Sequence, residues 1–159
     1  MAGAEPSVAI RPSSPAAPAY EADFYSWVMR QAELIGEGRF DEIDAVNIAE
    51  ELRDLGRSEQ RQLRNELARV LQHILKWDFQ PEKRSPSWLH SIDIHRVHAR
   101  QNLRENTGLK PRLPAIVGEA YELAVRYAVR DTRLPVKTFP AECPYDFETI
   151  MTREMRAAE

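Results

Sequence analysis

The stretch "SEQRQLRNELARVLQHILKWDFQP", residues 58–81, decides how the rest of the chain reads. Leu63, Leu67, Val70, Leu71, Ile74 and Leu75 recur at three- and four-residue intervals, which puts them on one face of a helix. Ser58 offers a capping oxygen at the start. Pro81, with no amide hydrogen and a ring that clashes with the preceding turn, stops the helix. No other stretch carries so strong an apolar stripe, so this helix is expected at the centre of the fold.

Working outward, the same periodicity recurs on both sides. Phe24, Trp27, Val28, Leu34 and Ile35 predict a first helix over 20–35, ended by Gly36 and Gly38. Asp44 is placed to cap a second helix, with Ala45, Ile48, Ala49, Leu52 and Leu55 on one face. Gly56 then stands where a left-handed C-cap is wanted, so the helix of residues 58–81 counts as the third. Ser85 followed by Pro86 is a cap and first-turn pair and predicts a fourth helix to about Glu105. A last long helix starts near Pro114, with Val117, Ala120, Tyr121, Ala124, Tyr127 and Ala128 on its apolar face. Leu134 to Tyr145 is a proline-punctuated strap, after which Asp146 caps a closing helix through Phe147, Ile150 and Met151. No segment alternates apolar and polar residues long enough for a strand, and short connections favour antiparallel neighbours. The expected fold is all-α: a four- to five-helix antiparallel bundle with a proline-rich C-terminal strap and a short closing helix.

Composition bounds what such a fold is for. The chain has 159 residues, 43% of them hydrophobic, enough for one core but not two. We expect a disordered Pro/Ala-rich arm over 1–19, where prolines 6, 12, 15 and 18 sit among small residues with little to bury. A single bundle domain is expected over 20–151 and a flexible C-terminus over 152–159. With 22 basic and 25 acidic residues the net charge is −3, which gives no global attraction to nucleic acid or anionic lipid. No apolar run is long enough to span a bilayer, so a soluble cytoplasmic protein with no membrane partner is expected. Cys143 is the only cysteine, which excludes an intramolecular disulfide and any zinc site built on several thiolates.

Three of the four histidines fall in "WLHSIDIHRVHAR", residues 88–100. His90 and His98 are two helical turns apart, roughly 12 Å along the axis, too far to share an ion. His95 and His98 are three residues apart, but the well-attested helical pair is spaced by four, and any third ligand has to come from another helix. The helical wheel puts Trp88, Leu89, Ile92, Ala99 and Leu103 on one face, His95 at its edge and His90 on the far side. The run therefore reads as rim and solvent, and no metal or other cofactor is expected.

The phosphate-binding glycine loop and the Gly-x-Ser-x-Gly elbow are absent, and Cys143 lies between prolines in the strap. His73 lies one turn before Trp77 on the flank of the central stripe, an imidazole read as structural ahead of catalytic. Glu50 and Glu51 are read as part of a solvated acidic face, because the Glu-x-x-His spacing of carboxylate metal sites in bundles is missing.

Four segments, "YEADFYSWVMRQAELIGEGRFDEID", "NIAEELRDLGRSE", "HILKWDFQPEKRSPSW" and "TFPAECPYDFETIM", agree in order and spacing with one pattern. By these the chain resembles the bacterial family catalogued as domain of unknown function twenty-nine, over about Tyr20 to Met151. The resemblance implies an all-helical bundle, often a stand-alone chain and abundant in cyanobacteria, with no established activity. Asn47, Glu50, Glu51, His73, Trp77, Arg84 and Trp88 all match that pattern and form the candidate functional or structural cluster. His90, His95 and His98 fall where the family is usually polar or basic.

Within "KWDFQPEKRSPSW", Trp77 and Trp88 flank a turn between two helix ends. Arg84 can reach the free carbonyls of the third helix, or a carboxylate such as Glu51, and fix the angle between helices. Charge is also uneven. The second helix and its approach are acidic, from Glu33 to Asp54, while the third and fourth carry Arg57, Arg61, Arg64, Arg69, Lys76, Lys83, Arg84, Arg96, Arg100 and Arg104. The expected function is a non-catalytic protein-interaction or assembly module, binding an unidentified protein partner or itself. The alternative is nucleic-acid binding through the basic side of helices three and four, and behind it a metal-dependent hydrolase using His73 with Glu50 or Glu51.

Overall fold

The computed structural model describes residues 19–155; the arm expected over 1–19 therefore lies, but for Ala19, outside the described residues. Among the described residues there are five α-helices, short 3-10 turns and no strand. The helices are α1 (Phe24–Gly36), α2 (Ala45–Phe79), α3 (Pro86–Glu105), α4 (Leu113–Thr132) and α5 (Phe147–Thr152).

Helix α1 begins where Asp23 accepts a hydrogen bond from the Ser26 amide at 3.0 Å, so its expected start at residue 20 moves in by one turn. Its end is where the glycines put it. Gly38 takes a left-handed φ of 73°, and the Arg39 amide turns back to the Leu34 carbonyl at 2.9 Å.

The second and third predicted helices are one. Helix α2 runs 35 residues without a break, straight through Gly56 and Ser58. The only left-handed glycine among the described residues is Gly38, so Gly56 is an ordinary helical residue. A glycine inside a helix costs about 1 kcal/mol relative to alanine, too little to end a helix when no capping geometry competes. The face expected to be core on the second helix is not core: Leu52 and Leu55 are 62% and 63% exposed, and the buried residues of α2 begin at Leu63.

The contacts divide the chain into two compact units, Met1–Arg53 and Asp54–Glu159. In the first, Trp27, Gln31 and Leu34 of α1 are buried, and the Tyr20 ring meets Trp27 edge-on at 4.8 Å. In the second, Leu63, Leu67, Val70, Leu71, Ile74 and Leu75 of α2 share a core with Ile92 and Ala99 of α3. Ile116, Val117, Ala120, Tyr121, Ala124 and Ala128 of α4, with Ile150 and Met151 of α5, complete it. Each large side chain so buried contributes about 1.5–3 kcal/mol.

The strap between α4 and α5 is part of this core. Phe139 is buried against Phe79 at 5.2 Å, and the Tyr121 hydroxyl donates to the Pro140 carbonyl at 2.7 Å. Burial pushes the Tyr121 phenol up to about 12 and raises the Cys143 thiol, so Cys143 is a packed thiol and not a thiolate nucleophile. Asp146 caps α5 as expected, accepting from the Thr149 amide at 2.8 Å. After α5 the Arg153 guanidinium grips Asp78 of α2 in two hydrogen bonds of 2.8 and 2.6 Å.

Candidate functional site

Asn47, Glu50 and Glu51 belong to the first unit and surround the start of α2. Asp44 organises them. Its carboxylate accepts from the Asn47 amide at 3.2 Å, the Asn47 side chain at 2.7 Å and the Trp27 indole at 3.3 Å. Its own amide donates to the buried Gln31 side chain at 2.8 Å. The Asn47 side-chain bond, followed by the Asn47 amide, holds the Asp44 carboxyl below its ordinary range. Glu51 accepts from the Tyr20 hydroxyl, and Glu50 lies 3.7 Å from Arg53. The group caps a helix and ties it to Trp27 of α1 and to Tyr20, which precedes α1.

His73, Trp77, Arg84 and Trp88 belong to the second unit and gather at the turn between α2 and α3. Arg84 donates through Nε to the Trp77 carbonyl at 3.0 Å, one of the two destinations its position suggested, and its guanidinium lies 4.9 Å over the Trp77 ring. Lys76 stands 4.6 Å over the Trp88 ring and 3.2 Å from Asp131 of α4, which also accepts from Gln72 at 2.6 Å. His73 directs Nδ1 to the Arg69 carbonyl at 2.9 Å; since a carbonyl only accepts, that nitrogen carries the proton. Burial lowers the His73 pKa against the pull of that carbonyl, so the ring is a neutral packing group.

Much of the expected basic side is spent inside the second unit. Arg96, read from the sequence as surface charge, is 7% exposed and donates to the Ile150 and Arg153 carbonyls, both at 2.9 Å. Arg100 reaches the Met151 carbonyl at 2.7 Å. These carbonyls end α5, where four acceptors lack helical partners and the helix dipole favours cations. Arg57 pairs with Asp54 in two hydrogen bonds, one of 2.8 Å, and the Arg69 guanidinium lies 4.4 Å over Tyr127.

One constellation crosses two helices of this unit. His95 and His98 of α3 both turn Nδ1 toward Glu66 Oε2 of α2, at 2.7 and 3.4 Å. One ligand atom from each of the three lies within 4.8 Å of the others. His95 and His98 lie at the rim as their spacing implies, and the third group comes from another helix, as any third ligand must. Helical spacing holds the signal: Glu59, Gln62 and Glu66 recur at three and four residues on α2, as His95, His98 and Asn102 do on α3. What sequence cannot supply is that these two polar rows face each other. His90, on the far side, is exposed.

No helix among the described residues is long and apolar enough to cross a membrane. No curated protein and no solved structure matches the chain. A family model matches residues 19–155, most of the chain, so the chain belongs to the family described as Domain of unknown function DUF29.

Proposed function

We propose that this protein is a non-catalytic protein-interaction or assembly module that docks through the apolar surface of its first unit, and that the occupant is a second copy of the chain. The observation that carries this reading is where exposed apolar side chains fall. Among the described residues most lie between Phe24 and Leu52, and on α1 alone Phe24, Tyr25, Val28, Met29 and Ile35 are exposed. Phe24, Val28 and Ile35 follow helical spacing beside the buried stripe of Trp27, Gln31 and Leu34, so α1 is apolar well beyond the face it buries. Contiguous apolar surface of this kind marks interaction sites. A two-fold pair buries the same stripe from both sides, with no second complementary surface required.

Nucleic-acid binding stands behind this reading because Arg96, Arg100, Arg84 and Lys76 already bond to carbonyls, rings and Asp131. A hydrolase using His73 has less support still, since Nδ1 is committed to the Arg69 carbonyl.

Light scattering on the eluting protein across a range of concentrations tests the proposal. The expected mass is twice that of one chain, falling to a single chain in Met29→Glu/Ile35→Glu with helicity unchanged. A wild-type chain that stays monomeric at tens of micromolar overturns it.

A further inference from the structure

The geometry points to a binding site for one divalent transition-metal ion, zinc fitting best, formed by Glu66, His95 and His98. This inference is independent of the docking surface on α1.

The donor set is two imidazoles and one carboxylate. Hard cations such as magnesium and calcium take oxygen ligands, whereas imidazole suits zinc, cobalt, nickel and copper. Three protein ligands with a fourth position open is the arrangement of accessible zinc sites. Metal–ligand bonds of about 2.0–2.2 Å place tetrahedral ligand atoms roughly 3.3–3.5 Å apart. His98 Nδ1 stands 3.4 Å from Glu66 Oε2. His95 Nδ1, at 2.7 Å, needs to open by roughly 0.6 Å to meet the same figure. The rings lie at 83° to each other with centroids 6.1 Å apart, so the two Nδ1 atoms approach Glu66 from different directions, and binding an ion displaces the proton that His95 shares with the carboxylate.

The frame is prebuilt. Glu66 leaves α2 and His95 leaves α3 from half-buried positions in the region that carries the central core stripe. Only His98, 52% exposed at its side chain, has to settle onto an ion.

A second observation concerns Asn102, one turn beyond His98 and 2% exposed. Its side-chain nitrogen donates to the Glu59 carboxylate at 3.1 Å and the Glu59 carbonyl at 3.4 Å, which fixes the amide's orientation. The other end, Oδ1, is buried with no hydrogen-bond partner among the described residues. A buried acceptor left so costs about 1–3 kcal/mol. Asn102 lines, with Glu66, His98, Gln62, Gln101 and Glu105, one polar depression of about 230 Å³. Two of the three ligands, Glu66 and His98, line that depression beside Asn102, and a metal-bound water there would be a strong donor of the kind Oδ1 lacks.

Titration calorimetry with zinc chloride on the full chain, freed of any histidine tag and treated with chelator, is the test. One ion per chain is expected, bound at least ten-fold more weakly by His98→Ala and by Glu66→Gln and unchanged in His90→Ala. Cobalt should give the visible absorption of a four-coordinate ion in the wild type and lose it in His98→Ala. Far-UV circular dichroism shows that each variant is folded, and Glu66→Gln keeps the shape of the site if His98→Ala does not. No saturable binding, equal affinity in both variants, or displacement of zinc by an equal concentration of magnesium overturns the proposal.

Discussion

Arg84 and Arg96 are the same residue type put to different tasks. Arg84 sits near the surface and donates to the carbonyl of Trp77 at the end of α2, in the turn that leads to α3. Replacing it with alanine should lower stability by about 0.5–1.5 kcal/mol, the net worth of an intramolecular hydrogen bond, seen as a lower melting temperature. An unchanged melting temperature would remove its structural role. Asp78 gives the sharper case. Burial works to raise its carboxyl, but the hydrogen bonds from Arg153 and Tyr145 outweigh burial and leave it below its ordinary value. A carboxyl depressed in the folded chain stabilises above its unfolded value of about 3.9, and that stability is lost as pH falls through the folded value. Asp78→Asn should therefore cost about 1–3 kcal/mol at neutral pH and flatten the acid limb of a plot of melting temperature against pH. Arg84 was legible because the free carbonyls of a helix end are implied by the helix itself. Arg96 was not: its acceptors belong to Ile150 and Arg153, more than fifty residues away, and only the folded chain brings them near.

Two glycines make opposite predictions at the scale of the element. Gly38 holds a left-handed φ of 73° at the turn after α1, where a side chain is strained whatever the space around it. Gly38→Ala should destabilise by about 1–2 kcal/mol. Gly56 lies within α2 with nothing within 4 Å of the position a β-carbon takes. Gly56→Ala should stabilise by about 0.5–1 kcal/mol, measured by chemical denaturation. Had Gly56 capped a helix, as its place in the sequence suggested, the sign would be reversed. Helix α4 and the Asp146 cap of α5 were readable because proline, capping aspartate and apolar spacing agree there. The junction of the second and third predicted helices was not readable, because a glycine followed by Ser58 satisfies the rules for an end and a beginning while being tolerated inside a helix. The candidate cluster was legible as residues but not as one place: Asn47, Glu50 and Glu51 lie in the first unit, His73, Trp77, Arg84 and Trp88 in the second.

Across the whole molecule, apolar burial is uneven. Residues from Leu63 onward fill the core of the second unit, whereas those of the first unit between Phe24 and Leu52 leave much of their apolar surface exposed. The proposed association surface lies in the first unit and the proposed metal site in the second, so the two tests do not depend on each other. Substitutions at Met29 and Ile35 should leave zinc affinity unchanged in calorimetry, and His98→Ala should leave the oligomeric mass unchanged. The grip of Arg153 on Asp78 has a practical corollary for anyone shortening the chain. A six-residue helix has no stability of its own, so α5 stays docked through its neighbours. A version trimmed after Met151, where the apolar pattern runs out, discards the guanidinium that pins that helix and invites it to peel away. Ile150 and Met151 would then be laid bare to sticky encounters between chains, so the safe place to cut lies beyond Met155.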